Sequence, residues 1–439
     1  MASATATQDM VRPGEGMDLY YYDGETSKKQ VFPTTQNTKF VQQFQNTNGG
    51  TSVFTIPPNQ GIQDIVCEFK FTGTASTGLA LPRGWGYALV KSVSFRYGGS
   101  SQYFLTGDQI LQNALRRQTS TASCDQILNL GGQCAVSAAG ATGISNLLSV
   151  DQYGAIVLTL PHSIPSGVGK SHPFPTDLLT QQVQVTVELY TPASIFSVSS
   201  AGGATSNPYS IYPTGLATAQ FVVQQVVMNN AGDLLARRVD MAVNAYAFPC
   251  EFVQQVQRIN IPGNTTSVQS LVLTGFRSGE VKAIHCWLTD TSTGGAAGTG
   301  APLANGSVGV YNPFLWSLPT SIKMTYAGDV YAFYDAGSSP LWNLINGNKA
   351  PFVNNLDLVQ ASPTPTAAAF VSQWVELPFA QTLVDEDSHY ILSHGKPITN
   401  GIVNIDIATP YASATWVLNV SYIYNSTLLM SQGTCDYVF

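Results

Sequence analysis

The chain has 439 residues, of which 44% are hydrophobic and only 10% charged, and its formal net charge is −7. That length exceeds the usual ceiling for one hydrophobic core and points to about two domains of roughly 200 residues each. A negative chain whose basic pairs are Lys28-Lys29, Arg116-Arg117 and Arg237-Arg238 does not suit a nucleic-acid backbone, which calls for clustered Lys and Arg, so no direct, specific nucleic-acid binding is expected.

Residues 1–39 hold few regularly spaced apolar positions and read as an N-terminal arm that orders only against a neighbour. Tyr20-Tyr21-Tyr22 gives the arm an adhesive spot, since tyrosine buries much area at low entropy cost. Its first residues, MASATATQDMVRPGEGMD, lack the apolar core of a secretory signal, and synthesis inside the cell is expected. No run of 18 apolar residues follows that could cross a bilayer as a helix.

Residues 40–200 read as a first β domain. Ile65, Cys67, Phe69 and Phe71 alternate with Val66, Glu68 and Lys70, and Val93, Phe95 and Tyr97 alternate with Ser92, Ser94 and Arg96. Val183, Val185, Val187 and Leu189 form another such series. Period two is the mark of a strand with one buried face. Thr106 and Gln109 form a capping-box pair ahead of the stripe Ile110, Leu111, Ala114 and Leu115, which predicts a short helix ending near Arg116-Arg117. Residues 201–249 read as a connector, exposed at first, then a strand at QFVVQQVVM (Gln220–Met228), then a short helical turn near Asp233–Arg238. Residues 250–439 read as a second β domain with strands around Lys282–Leu288, Ile322–Tyr326 and Trp416–Tyr424, and a helix opened by Ser339-Pro340 and closed near Gly347. Clusters of Gly, Pro, Ser and Thr, such as Thr72–Gly78, Ser197–Pro208, Thr291–Pro302 and Ala361–Ala369, separate the strands. Short strands without long helices between them exclude a parallel α/β sheet and predict an antiparallel sandwich or barrel.

The two domains read as copies of one another. FVQQFQ at Phe40 returns as FVQQVQ at Phe252, and Ile56-Pro57-Pro58-Asn59 as Ile261-Pro262-Gly263-Asn264. LVKSVSFRYGG at Leu89 returns as LPTSIKMTYAG at Leu318, Leu160-Pro161 as Leu377-Pro378, and the strand at Val187 as the one at Val420. By subtraction the offsets are 212, 205, 229, 217 and 233 residues, as expected for a duplicated fold with diverged loops.

Chemistry is hard to find. Asp385-Glu386-Asp387-Ser388-His389, with His394 beyond, could be imagined as a metal site but reads better as a solvated acidic loop. His285 and Cys286 are neighbours on one strand and so point to opposite faces. His162 and His172 have no companions that suggest a site, and there is no phosphate-binding loop and no G-x-S-x-G elbow. The six cysteines, Cys67, Cys124, Cys134, Cys250, Cys286 and Cys435, show no C-x-x-C spacing and read as buried, reduced thiols. Asn264, Asn305, Asn419 and Asn425 begin N-x-S/T sequons, which have meaning only in a secreted chain. Leu81–Tyr87 (LPRGWGY) reads either as an exposed aromatic contact or, preferably, as a loop whose Trp85 and Tyr87 cap a sandwich end. No catalytic, cofactor-binding or metal residue is expected, and no cofactor.

Polar work in this chain falls on Gln, Asn, Ser and Thr rather than on charges, which make up about 25% of an ordinary soluble domain. Such side chains enter subunit contacts at a lower desolvation cost than Lys or Glu. Much of the surface is therefore expected to be covered by other copies.

The blocks Leu81–Arg117 and Phe174–Tyr190, within a doubled sandwich spanning about Phe40 to Leu429, resemble the double jelly-roll major capsid proteins of icosahedral double-stranded DNA viruses, above all virophage, polinton-like and large eukaryotic DNA virus members of the adenovirus-like lineage. The resemblance implies an all-β fold of two tandem eight-stranded antiparallel jelly rolls with short helices in the loops. It implies a structural protein of the virion, not an enzyme, made in the host cell and assembled as homotrimers of pseudo-hexameric outline. The implied partners are neighbouring capsomers, penton and minor capsid or cement proteins, and an internal membrane. Strands would stand upright to the shell, with loops such as Thr291–Pro302 as outer towers and the arm running beneath. The alternative is a tandem β-sandwich that binds or cleaves glycans, as in a spike or lectin, which would need exposed aromatic rows or paired carboxylates.

Overall fold

A computed structural model describes residues 35–58, 61–72, 84–97, 102–116, 121–133, 151–158, 174–192, 216–228, 245–261, 266–290, 319–335, 374–379, 395–399, 401–409 and 416–439, with short pieces between them. The first lobe is built from β1 (Thr35–Gln43), β2 (Gly50–Ile56), β3 (Gly61–Phe71), β4 (Val90–Tyr97), β5 (Gln102–Thr106), β6 (Gln152–Leu158), β7 (Val183–Leu189) and β8 (Thr218–Met228). These pair antiparallel as two facing sheets, β1-β8-β3-β6 and β2-β7-β4-β5. The second lobe holds β9 (Tyr246–Val253), β10 (Gln269–Leu273), β11 (Glu280–Asp290), β12 (Ser321–Tyr326), β13 (Asp329–Asp335), β14 (Val375–Pro378), β15 (Val403–Ala408) and β16 (Trp416–Ser431). Its sheets are β9-β16-β11-β14 and β10-β15-β12-β13. Strand for strand this is the first lobe's order again. Each lobe is an eight-stranded jelly roll, and β17 (Thr434–Val438) adds to β16 at the end of the chain.

Alternation produces this packing. In β7, Val183, Val185, Val187 and Leu189 are buried while the residues between them face outward, and in β15 Val403, Ile405 and Ile407 do the same. Phe54 of β2 stacks on Phe221 of β8 with ring centroids 4.1 Å apart and planes within 4°, which bolts the first lobe's two sheets together. Cys67 lies in that lobe's core and Cys286 in the other's; both are free and buried, as are Cys250 and Cys435. The expectation for Cys124 and Cys134 lies outside the residues whose side chains are described.

Among the described residues the first lobe carries the α-helices α1 (Trp85–Leu89), α2 (Gly107–Arg116) and α3 (Thr121–Leu130). At the start of α2 the Thr106 amide donates to Gln109 Oε1 at 3.0 Å, and the Gln109 amide donates to Thr106 Oγ1 at 3.4 Å, so the predicted capping box is formed. Trp85 and Tyr87 are fully buried; the segment read as a capping loop turns helical at Trp85 and fills the sandwich end. The helix expected at Ser339–Gly347 lies outside the described residues, as do the Tyr20–Tyr22 spot, the loops Thr291–Pro302 and Ala361–Ala369, and all of the turn expected at Asp233–Arg238 except Leu235, which is helical and exposed.

Several boundaries change. The first strand starts at Thr35, inside the span read as arm, because Thr35–Lys39 pairs with Gln224–Met228. The strand assigned to the connector is β8, which lies between β1 and β3 and completes the first jelly roll. The second lobe starts at Tyr246, within the former connector. Alternation marks a strand but does not say which strand it will pair with.

Two of the five repeat matches join equivalent strands: the Phe-Val of FVQQ lies on β1 and β9, and SVSFRY and SIKMTY lie on β4 and β12. The other comparisons differ. Ile56 ends β2, whereas Ile261 precedes β10, and Val187 lies on β7, whereas Val420 lies on β16, the counterpart of β8. Leu160-Pro161 lies outside the described residues. Half-buried strands share one pattern, so similar text can fall on different strands of the same fold.

Replacing Thr106 with alanine removes one half of the capping box. The expected cost is about 1 kcal/mol, measured as a lower denaturation midpoint with an unchanged denaturant slope.

Candidate functional site

The lobes meet along a seam where the sequence predicted no site. Lys282–Leu288 and Trp416–Tyr424 were expected to bury one face only, yet Lys282, Ala283, Ile284, His285, Cys286, Trp287 and Leu288 are all buried, as is every residue from Trp416 to Tyr424. The inward face is the second lobe's core. The outward face, with Glu251, Lys282, His285, Glu376, Asn419 and Ser421, is polar and still hidden.

Hiding such groups requires partners, because an unmet buried polar group costs about 1–3 kcal/mol. Lys282 Nζ pairs with Glu251 Oε1. His285 Nε2 stands 3.5 Å from Glu376 Oε2. Asn419 Nδ2 donates to Thr289 Oγ1 at 3.0 Å and to the Trp287 carbonyl at 3.4 Å. The first lobe reaches this face through α2, whose residues Gln109 to Leu115 are all buried. Gln109 Nε2 donates to the Gln254 carbonyl and to Ser421 Oγ, both at 2.7 Å. One glutamine thus caps its own helix with its oxygen and grips the other lobe with its nitrogen.

Beside this polar clasp lies an aromatic one. Tyr97 and Tyr103, from β4 and β5, meet Phe252 and Tyr437 of the second lobe: Tyr103–Phe252 centroids are 5.3 Å apart, Tyr103–Tyr437 6.0 Å and Tyr97–Tyr437 6.4 Å. Phe252 also packs edge-on against Phe439 at 4.9 Å, and the Arg277 guanidinium sits 4.8 Å from the Phe252 ring. Each tilted or edge-on aromatic pair contributes about 0.5–1.5 kcal/mol beyond its buried area. Burial pushes the Cys250 thiol up to about 12 and raises the Cys435 thiol further still. At the far end of the seam, the Thr180 amide and hydroxyl both donate to the Gly433 carbonyl, at 2.9 and 3.1 Å. Gly433 turns the β16–β17 hairpin at φ 78°, and a Cβ there would lie 2.2 Å from Thr180 Cγ2.

None of this is arranged to act on a bound substrate. His285 faces the seam, whereas Cys286 points into the core beside Val420, so the two form no catalytic pair. Among the described residues no group of three His, Cys, Asp or Glu could hold a metal ion, and no helix is long and apolar enough to cross a membrane. Asp385–Asp387, His389, His394, His162, His172, Asn264 and Asn305 lie outside the described residues. Asn419 is buried within β16, and Asn425, also in that central strand, pairs across to Glu251 and Glu280. A signal for the seam was present in the text, since a Lys, a His and an Asn interrupt the apolar faces of otherwise clean strands.

The sequence matches no protein-family model and no curated protein. Solved structures do match over nearly the whole chain. PBCV-1 VP54, as fitted into a cryo-EM reconstruction of the virophage Sputnik, superimposes with a TM-score of 0.60 at 12% identity, over 93% of this chain and 98% of that one. The PBCV-1 virus capsid gives 0.59 at 14% identity, over 93% and 98%. The Faustovirus major capsid protein gives 0.54 at 11% identity, over 94% and 93%.

Gln109→Ala leaves the Gln254 carbonyl and Ser421 without that donor, at an expected cost of about 1–3 kcal/mol. Thiol-labelling mass spectrometry should show Cys250 and Cys435 reacting faster in this variant while Cys67 and Cys286 stay protected, because only the seam has loosened. Together, the repeated strand order, the covered seam and these superpositions give the chain the double jelly-roll fold of the viral capsid proteins it resembles.

Proposed function

We propose that this chain is the major capsid protein of an icosahedral virus, that it acts in the virion, and that its action is mechanical rather than enzymatic. The observation that carries this reading is the same eight-strand order found twice in one chain, β1-β8-β3-β6 with β2-β7-β4-β5 and then β9-β16-β11-β14 with β10-β15-β12-β13. Two like lobes joined rigidly let three chains present six lobes, a near-hexagonal tile that fills a flat facet while each lobe keeps its own loops. The low charge content supports it, since Gln, Asn, Ser and Thr faces can be covered by neighbours at modest desolvation cost.

In this reading the chain's partners are neighbouring capsomers, penton and minor capsid proteins, and an internal membrane. The purified chain should run as a trimer by light scattering and show pseudo-hexagonal outlines in negative stain. A stable monomer retained on an oligosaccharide column would overturn the capsid reading in favour of a glycan-binding sandwich.

A further inference from the structure

The buried Lys282–Glu251 pair reaches across a strand. β9, β16 and β11 lie in that order in one sheet, with Glu251 on β9 and Lys282 on β11. For the Lys282 ammonium to meet the Glu251 carboxylate it must pass over β16, and the β16 residue directly opposite Glu251 is Asn425. Directly opposed residues on antiparallel strands share a face, with Cβ atoms about 4.5–5.5 Å apart. The head of the lysine is therefore carried to the side chain of Asn425. A register shift between Val281 and Ala283 makes Lys282 the extra residue of β11, and a bulge of this kind re-aims a side chain.

The three groups differ in their surroundings. Lys282 is fully buried and Glu251 nearly so, whereas Asn425 is half-buried at the rim of the seam. There Asn425 Nδ2 donates to Glu280 Oε2 at 3.5 Å, and Glu280 is exposed. Glu280 and Glu251 are the partners of Asn425 on its two sides, so the amide nitrogen is turned toward water and away from the buried pair. An amine, a primary amide and a carboxylate thus share one dry corner with an exit for a small leaving group.

We infer that Lys282 and Asn425 are joined by an amide bond that the chain forms by itself, with Glu251 relaying the protons. Lys282 passes a proton to Glu251 and becomes a neutral amine, whose lone pair attacks Cγ of Asn425. A C–N bond forms as the carbonyl π pair moves onto Oδ1. The surplus proton on the new bond's nitrogen travels through Glu251 to Nδ2. The carbonyl then re-forms, the Cγ–Nδ2 bond breaks with its electron pair leaving on nitrogen, and ammonia departs at the rim. Glu251 ends as the neutral acid, and nothing is oxidised or reduced. Two buried charges become neutral groups, so the cost of holding ions out of water favours the product. Glu251 touches the same amine but is the poorer acceptor, because condensation there releases water, which the solvent returns, whereas ammonia is diluted away.

The bond ties together β16 and β11, the two central strands of the sheet that carries the Gln109 clasp. It closes a long stretch of chain and so restricts the unfolded state. The inference does not depend on the capsid reading, and a chain that modifies itself once is not thereby an enzyme.

The test is intact mass spectrometry of the full chain, incubated at neutral pH after purification, followed by tryptic mapping. The expected result is a mass one ammonia below that of the sequence. Mapping should give one branched peptide joining Lys282 to Asn425, uncut after Lys282 because trypsin needs a free lysine. Asn425→Ala changes a rim residue and spares the Lys282–Glu251 pair. With a wild-type circular dichroism spectrum, it should keep its full sequence mass, be cut after Lys282 and unfold at a lower temperature. Glu251→Gln keeps the shape without the proton relay and should also keep its full mass. A wild-type chain at full sequence mass and cut after Lys282 would overturn the inference, as would a loss of water that joins Lys282 to Glu251. A branched peptide formed by E251Q as fast as by wild type would overturn the role given to Glu251.

Discussion

The outward face of β9–β16–β11–β14 carries Glu251, Lys282, His285, Asn419 and Ser421 almost wholly out of water, and a sheet face of that composition stays dry only where its donors and acceptors are met. Part of the matching is internal, in the Lys282–Glu251 pair and the Asn419 bonds. The rest arrives with the first lobe, through Gln109 and the tyrosines of β4 and β5. Breaking one partner of a buried pair leaves an uncompensated charge at a cost of about 3–5 kcal/mol. The Gln109 bonds to the Gln254 carbonyl and Ser421 are met in this one arrangement, and a slide between the lobes would break them.

That requirement sets the angle between two lobes that could otherwise swing on a connector. Inter-domain contacts are often loose, but this one combines an aromatic cluster with directional hydrogen bonds, and Gly433 allows β17 to close against Thr180 where any side chain would collide. Such rigidity suits the tiling role proposed above, in which a flexible unit would let neighbours meet at varying angles.

The seam also separates two kinds of polar residue. Those facing water on β2 and β7 need no specific partner. Those on β11 and β16 do, and they are where strand alternation failed as a guide to burial. Lys282 and His285 stand in text that reads as half-exposed strand, yet both are sealed, because a second layer lies over the sheet.

Local text was sufficient for the strands themselves, since period-two alternation in Ile65–Phe71, Val183–Leu189 and Ile322–Tyr326 follows directly from one buried face, and for α2, whose Thr106–Gln109 box needs only neighbours in sequence. The FVQQ and SVSFRY/SIKMTY blocks likewise told of two copies of one fold. Tertiary structure alone decided that Thr218–Met228 belongs to the first lobe, that Val187 and Val420 lie on different strands, and that Gln109 reaches Ser421 across 312 residues of chain. Alternation records which side of a strand is apolar; it holds no information about which strand, or which lobe, will come to lie against it.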